Sequence, residues 1–362
     1  MDQIRQVYPS IRPSDLQAVE KCFAENWFSE GPWCKAFAQT LREYMNVPYV
    51  TYAPNGTLGL FLALKALNLP QGSKVLIPDF TFFGSASSVV FAGLRPEFVD
   101  VDRETFQVDM KQLEKKLNDP AVSAVMAIHI YGQCCEIDAI AKLCQSRGVK
   151  LIEDAAQAVG VFYDGQHAGT FGDVGVFSLY ADKTLSSGEG AIVVTKDEAL
   201  FDSLLYLRNQ GRKTAGRFYH PQLGMNFRIT DMQAAIAYSG FQRLEEMIAA
   251  KQRRVERYRT NLSSCNGLST MRIDPRSTVA PFRYPLVCVD RDAVAAALEA
   301  NGIEKREFFM PMHMQPPLAE YVSEPCPSAR YLFEHGLCLP VHDALTDADI
   351  DYICDVVRKV VD

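Results

Sequence analysis

Residues 149–160 read VKLIEDAAQAVG. The first four, three of them apolar, read as a short strand, and it stops at two acids, Glu153 and Asp154. A mostly apolar strand belongs to a sheet covered on both faces, and polar chemistry begins where it ends. The same pattern repeats on either side. Residues 74–78 (KVLIP), 96–101 (PEFVDV), 124–130 (AVMAIHI), 175–179 and 191–195 read as strands, and 58–67 (LGLFLALKAL), 81–91, 110–117 and 138–147 read as helices between them. Strands alternating with helices imply crossovers and a largely parallel sheet, the α/β class. Ligands of such sheets sit beyond the carboxyl ends of the strands, which directs attention to the turns at Asn55, Phe80, Tyr131, Asp154 and Tyr180.

A helical stretch over 230–262, broken once, leads into a last hundred residues that mix a strand (283–289) with helices (291–301 and 347–361). Thr346 and Asp349 have the spacing of a capping box before the final helix. The chain has 362 residues, 48% of them hydrophobic, more than a single core usually serves. We expect a large domain over 1–240 and a smaller α/β domain over 241–362, with the N-terminal segment reaching the smaller one. A formal net charge of −7 argues against a nucleic-acid partner. The basic cluster at 251–259 reads as a solvated helix face. None of the ten cysteines forms a C-x-x-C pair and the six histidines are dispersed, so we expect reduced thiols and no metal centre. Residues 1–15 lack the apolar core of a signal peptide, and no apolar run is long enough to cross a bilayer. The expectation is a soluble cytoplasmic protein with no membrane partner. G-x-G-x-x-G after the first strand is missing, and the nearest glycine-rich run, Gly188-Glu189-Gly190, comes late, which counts against a nicotinamide-dependent oxidoreductase.

The strand-end turns hold a particular set of groups. Asp154 ends one strand, and Gln157 follows it by three residues. Ser178 and Lys183 flank the turn after 175–179. Gly56 and Thr57 open a helix whose free N–H groups suit a phosphate, with Thr57 as candidate N-cap. Phe82 follows the strand at 74–78. Singly, each has an ordinary reading: surface lysine, helix cap, core ring. As a set they match what pyridoxal 5′-phosphate (PLP) demands: an amine for its aldehyde, an acid for its pyridine nitrogen, an amide for its ring hydroxyl, phosphate donors and a flat side chain over the ring.

Several segments resemble the DegT/DnrJ sugar-aminotransferase family, in the family's order over nearly the whole chain. They are Asn55-Gly56-Thr57, Glu153 through Gly160, Gly172-Asp173 through Phe177-Ser178, Lys183, Ser187-Gly188-Glu189-Gly190 and Asn226 through Asp231. The resemblance implies the PLP fold type I architecture, with a mostly parallel central sheet. It implies that Lys183 carries the cofactor, Asp154 holds the pyridine nitrogen, Gln157 meets the ring hydroxyl, and Ser178, Gly56 and Thr57 bind phosphate. Phe82 stands where the family stacks an aromatic ring. Asn226 would reach the phosphate from the partner subunit of a homodimer with shared sites, and Arg228 would meet an acidic group of substrate or donor. A branch of similar proteins has histidine at the lysine position and dehydrates sugars with pyridoxamine phosphate; lysine here favours amino transfer. The departure is Asp182, immediately before the lysine.

Residues 302–316 (GIEKREFFMPMHMQP) and 26–31 (NWFSEG) resemble segments of perosamine synthases, which aminate C4 of a GDP-linked 4-keto-6-deoxy sugar. Trp27, Phe308 and His313 become candidate sugar-nucleotide contacts on that basis. The departure is Glu307, where proline is expected. The activity implied is transfer of an amino group from glutamate to a nucleotide-linked keto sugar, for amino sugars of O-antigen or other polysaccharides. The alternatives are a dehydratase of the same fold and an aminotransferase for a UDP- or dTDP-linked 3- or 4-keto sugar.

Overall fold

The computed structural model describes residues 3–213 and 218–361. Helices α1 (Pro13–Ala24) and α2 (Pro32–Met45) precede the first strand, β1 (Tyr49–Ala53). Then follow α3 (Gly56–Ala66), β2 (Lys74–Pro78), α4 (Phe83–Phe91), β3 (Arg95–Val99), α5 (Met110–Lys116), β4 (Val122–Ile128), α6 (Ile137–Arg147) and β5 (Lys150–Asp154). A two-residue hairpin, β6 (Phe162–Tyr163) and β7 (Gln166–His167), leads to β8 (Val174–Ser178), β9 (Ala191–Thr195) and α7 (Glu198–Arg208). These build a seven-stranded sheet of order β1-β9-β8-β5-β4-β2-β3. The pairs β8–β5, β5–β4, β4–β2 and β2–β3 are parallel, and β9 alone runs against its neighbours.

Alternating side chains of this sheet feed two cores. Val176 and Phe177, adjacent in β8, fall into different apolar clusters on opposite faces. Helix α3 is apolar almost all round, as a helix sealed under other elements must be. It rests directly on β8 because Gly59 has no side chain: a Cβ there would lie 2.7 Å from Val176 Cγ1.

The chain continues through α8 (Asp231–Phe241) and α9 (Leu244–Leu262), the expected single break falling between them. The rest comprises β10 (Leu268–Thr270), β11 (Tyr284–Cys288), α10 (Arg291–Ala300), β12 (Arg306–Glu307), α11 (Pro327–His335), β13 (Gly336–Leu339) and α12 (Asp347–Val361). Its strands form a second, antiparallel sheet of order β10-β11-β13-β12. The N-terminal segment crosses to this part: Ile4 bridges Ile303, and His342 Nε2 donates to Arg5 O over 2.8 Å. The Thr346–Asp349 capping box forms, with bonds in both directions.

Three readings change. Asn55, not Thr57, caps α3: its carboxamide oxygen accepts from Leu58 N at 3.0 Å. Helix α4 begins at Phe83, two residues late, because Phe82 takes the extended backbone of an N-cap. The basic cluster at 251–259 is only in part a solvated face: Gln252, Arg253 and Glu256 are exposed, but Lys251 is buried and donates to Thr184 Oγ1 at 3.0 Å, and Arg257 pairs with Asp351 on α12. The reading also passed over α1, α2 and β1. Helix α2 is fixed from far along the chain: the buried carboxylate of Asp231 accepts from Gly31, Trp33 and Cys34 N–H groups. That replaces a local cap with one 200 residues away. All ten cysteines are buried. Among the described residues, no helix is long and apolar enough to cross a membrane.

Candidate active site

The carboxyl ends of β2, β4, β5 and β8 and the amino end of α3 surround one cavity of roughly 690 Å³. Asn55, Gly56, Thr57, Phe82, Asp154, Gln157, Ser178 and Lys183 all line it. Strand alternation explains how adjacent acids part company. Glu153 points to the far face, where it accepts from Gly169, Phe171 and Gly172 N–H groups at 2.7 Å and lies 2.9 Å from His129 Nε2. Asp154 points to the cavity, with Ser85 Oγ donating to it at 2.8 Å and Ala156 N at 3.1 Å. Burial raises its carboxyl above the ordinary range; the Ser85 hydroxyl and the Ala156 N–H only partly offset this. A buried acid so held fits a cationic partner.

Lys183 follows a turn closed by its own N–H to Tyr180 O. Burial pushes its ammonium down to about 8, against the opposing pull of Asp182. The amine is therefore available in its neutral, nucleophilic form far below the usual lysine range. Nζ lies 3.8 Å from Asp182 Oδ1 and 4.0 Å from the centre of the Phe282 ring. Gln157 is oriented by Tyr131 N, which donates to Oε1 at 2.7 Å. That bond occupies the carboxamide oxygen and leaves its NH₂ group to serve as a donor at the cavity wall.

The phosphate end is equally defined. With Asn55 occupied by Leu58 N, the N–H groups of Gly56 and Thr57 have no partner among the described residues. They form the anion-ready start of α3, beside the Ser178 hydroxyl. Gly84 makes room here, since a Cβ would fall 2.5 Å from Thr57 Oγ1 and 3.2 Å from the Phe82 ring. Phe82 stays 59% exposed and lines the cavity. An aldehyde-seeking amine, a buried acid, a carboxamide donor and a phosphate cradle in one cavity fit PLP.

Five candidates lie elsewhere. Phe308 is a correction: it is 2% exposed and packs among Phe80, Phe106 and Tyr131 as a core ring. Its neighbour Phe309 lines the cavity instead, 6.2 Å from Phe82. Burial on one side of a loop leaves the next side chain on the other. His313 points away from the cavity, its Nδ1 2.6 Å from the buried Asp79 Oδ2. Trp27 is half exposed and packs on Gly31. Asn226 and Arg228 are exposed, and Arg228 donates to Asn209. None of these last four lines the cavity. Unforeseen cavity residues include Ser85, His129, Arg283 and Phe309. Ser85 had a signal: three serines in the otherwise apolar helix FGSASSVVF. Arg283 had none, since its strand belongs to the second sheet.

Fold and cavity together define a PLP-dependent aminotransferase of fold type I. The chain belongs to the DegT/DnrJ/EryC1/StrS aminotransferase family, whose pattern matches residues 9–358. It is similar to the GDP-perosamine synthase of Vibrio cholerae, 34% identical with 97% of each chain covered. Among solved structures it resembles the aminotransferase TlmJ from Streptoalloteichus hindustanus: TM-score 0.94, 32% identity, 99% of this chain and 98% of that one covered. An Escherichia coli GDP-4-keto-6-deoxy-D-mannose-3-dehydratase shares the fold, with TM-score 0.92 and 22% identity over 99% of this chain and 100% of that one.

Proposed function

We propose that this enzyme moves an amino group from L-glutamate to the C4 keto group of a GDP-linked 4-keto-6-deoxy sugar. The observation that carries the reading is the lysine at position 183, set opposite Asp154 in a cavity whose whole chain is collinear with GDP-perosamine synthases. PLP, when bound, supplies an aldehyde for amines and a ring that accepts electrons. The roles of this chain's residues follow from their positions. Lys183 Nζ would hold the cofactor by its aldehyde, and its amine is the group placed to take and return a proton. Asp154, kept dry, holds the ring nitrogen protonated. Gln157 NH₂ donates to the ring hydroxyl, and Gly56, Thr57 and Ser178 donate to the phosphate. Phe82 covers the ring face.

The enzyme works as a homodimer in this reading, with Asn226 reaching the partner's phosphate site and Arg228 beside it. The segment before them supports a second copy, because Phe218, Tyr219, Leu223 and Met225 are all exposed. Trp27 and His313 belong to the sugar-nucleotide side in the same reading. The division into a cofactor domain (1–240) and a smaller domain (241–362), and a cytoplasmic location, complete it.

Two experiments test the proposal. Borohydride reduction and peptide mass spectrometry should locate the cofactor on Lys183, and Lys183→Ala should abolish turnover. A panel of GDP-, UDP- and dTDP-linked 3- and 4-keto sugars, each with glutamate while 2-oxoglutarate is followed, identifies the acceptor. A new C4 amine by NMR supports the reading. A missing hydroxyl with no new amine makes the enzyme a dehydratase, and no response from any sugar overturns the sugar assignment.

A further inference from the structure

We propose that Arg283 is the anchor for a carboxylate of the amino-acid donor, and that Asp182 is the counter-ion that holds its guanidinium ready between donors. The inference rests on the donor being an amino acid. Arg283 immediately precedes β11, so the second sheet delivers it to the wall of a cavity built by the first. Its side chain is 12% exposed, and Nη2 donates to Asp182 Oδ2 at 2.9 Å. The guanidinium carbon lies 4.6 Å from the centre of the Phe282 ring, on which Lys183 Nζ also rests at 4.0 Å. Carboxylate and ring together fix the orientation of the guanidinium plane.

An arginine carries five N–H donors. Among the described residues, Asp182 is the hydrogen-bond partner of the Arg283 side chain, which stands on the cavity wall beside Lys183. The rest of the fork is left for a further partner. The other positive groups on the wall are committed elsewhere. Lys183 serves the cofactor, and the His129 ring is buried against Glu153 at 2.9 Å. A donor brings a carboxylate into a largely apolar, partly closed space, where an unpaired charge is costly and a fork of two N–H groups is its best partner.

The same cavity must then admit a sugar that offers hydroxyls and no carboxylate. Asp182 suits this alternation. Its Oδ2 keeps the guanidinium paired when no donor is present, and its Oδ1 is buried without a hydrogen-bond partner, 3.8 Å from Lys183 Nζ. One carboxylate thus faces both cations. It leaves part of the arginine fork free for a second carboxylate, so donor binding adds a bond without breaking the pair.

The test uses PLP-loaded enzyme and 2-methylglutamate, a donor analogue with no α-hydrogen to lose. Its dissociation constant is read from the cofactor's visible absorbance. Arg283→Met should weaken it on the order of 10- to 100-fold, the loss of a charge-assisted pair. Arg283→Lys, keeping charge without the fork, should fall between. Affinity for the amino-sugar nucleotide product should change less than about threefold in both. Should Arg283→Met fail to hold PLP, Arg283→Lys alone decides. Wild-type affinity for 2-methylglutamate in the lysine variant, or equal loss for donor analogue and amino sugar, overturns the inference. Wild-type enzyme that accepts an amino group from no amino acid would instead overturn the function on which it rests.

Discussion

Replacing Ser85 by alanine should weaken PLP binding while leaving every group that touches the cofactor in place. Ser85 Oγ donates to Asp154 Oδ2 at 2.8 Å and is itself steadied by Thr81 Oγ1 at 3.0 Å. It is the first of the influences that offset burial at Asp154. In the apo protein the variant can relieve the loss by taking up a proton, because burial already favours the neutral acid. The loaded enzyme has no such relief, since the acid must stay ionised opposite a protonated ring nitrogen. The loss therefore falls on the loaded state. A hydrogen bond to a charged group contributes about 1.5–3 kcal/mol, which is about 10- to 100-fold in a dissociation constant. The penalty should grow as pH falls, because protonation of Asp154 competes with cofactor binding and begins at higher pH once Ser85 is gone. Equilibrium dialysis of PLP at pH 6 and pH 8, with thermal unfolding of the apo protein as control, measures both effects. An affinity within twofold of wild type at both pH values would refute the reasoning.

Three further outcomes follow from other parts of the structure. Gly84→Ala places a Cβ 2.5 Å from Thr57 Oγ1 and 3.2 Å from the Phe82 ring, so PLP affinity should drop at least about tenfold through a displaced phosphate cradle; competition by inorganic phosphate should weaken in parallel. Lys183 and Lys251 are both lowered to about 8 by burial, so in the apo protein each ammonium opposes folding below that pH, and the unfolded chain binds more protons between about 8 and 10.5. Stability contributed by these two groups should therefore rise over that window, by about 3 kcal/mol each, and urea midpoints of Lys251→Met should show a distinctly smaller rise than wild type. His313 is raised by its bond to Asp79, so its stabilisation is fully present below its unfolded pKa and is lost as pH rises through the folded value. His313→Gln should cost about 1–3 kcal/mol at pH 6 and progressively less as pH rises through the folded value, and a loss that does not change with pH would show that the pair acts through neutral packing.

How much of this was legible in the sequence depends on where each partner sits in the chain. Asp154 and Ser178 follow directly from strand ends, because a parallel sheet sends such ends to one edge and the apolar runs mark the strands, and Gly56 follows from the start of an apolar helix. Reading failed where the deciding contact is remote. Asn55 rather than Thr57 caps α3, a choice made by one hydrogen bond between near-equivalent candidates. Helix α2 was invisible because its cap is Asp231. Phe308 and Phe309 are indistinguishable as letters, and only the second sheet's approach through Gly336, where a Cβ would lie 2.0 Å from Phe308, decides which ring is core. Asp182 looked like a blemish beside the lysine. Its meaning required Arg283, 101 residues on and in the other sheet. The cofactor end of the cavity is thus written locally, in turns that one sheet brings together. The wall opposite is written across both sheets, in the pair of Asp182 with Arg283, and the pair of Asp79 with His313, outside the cavity, joins equally distant parts of the chain. The Asp182–Arg283 pair ties the two regions together, because Asp182 Oδ1 also lies 3.8 Å from Lys183 Nζ, and a change at either member is felt at the lysine.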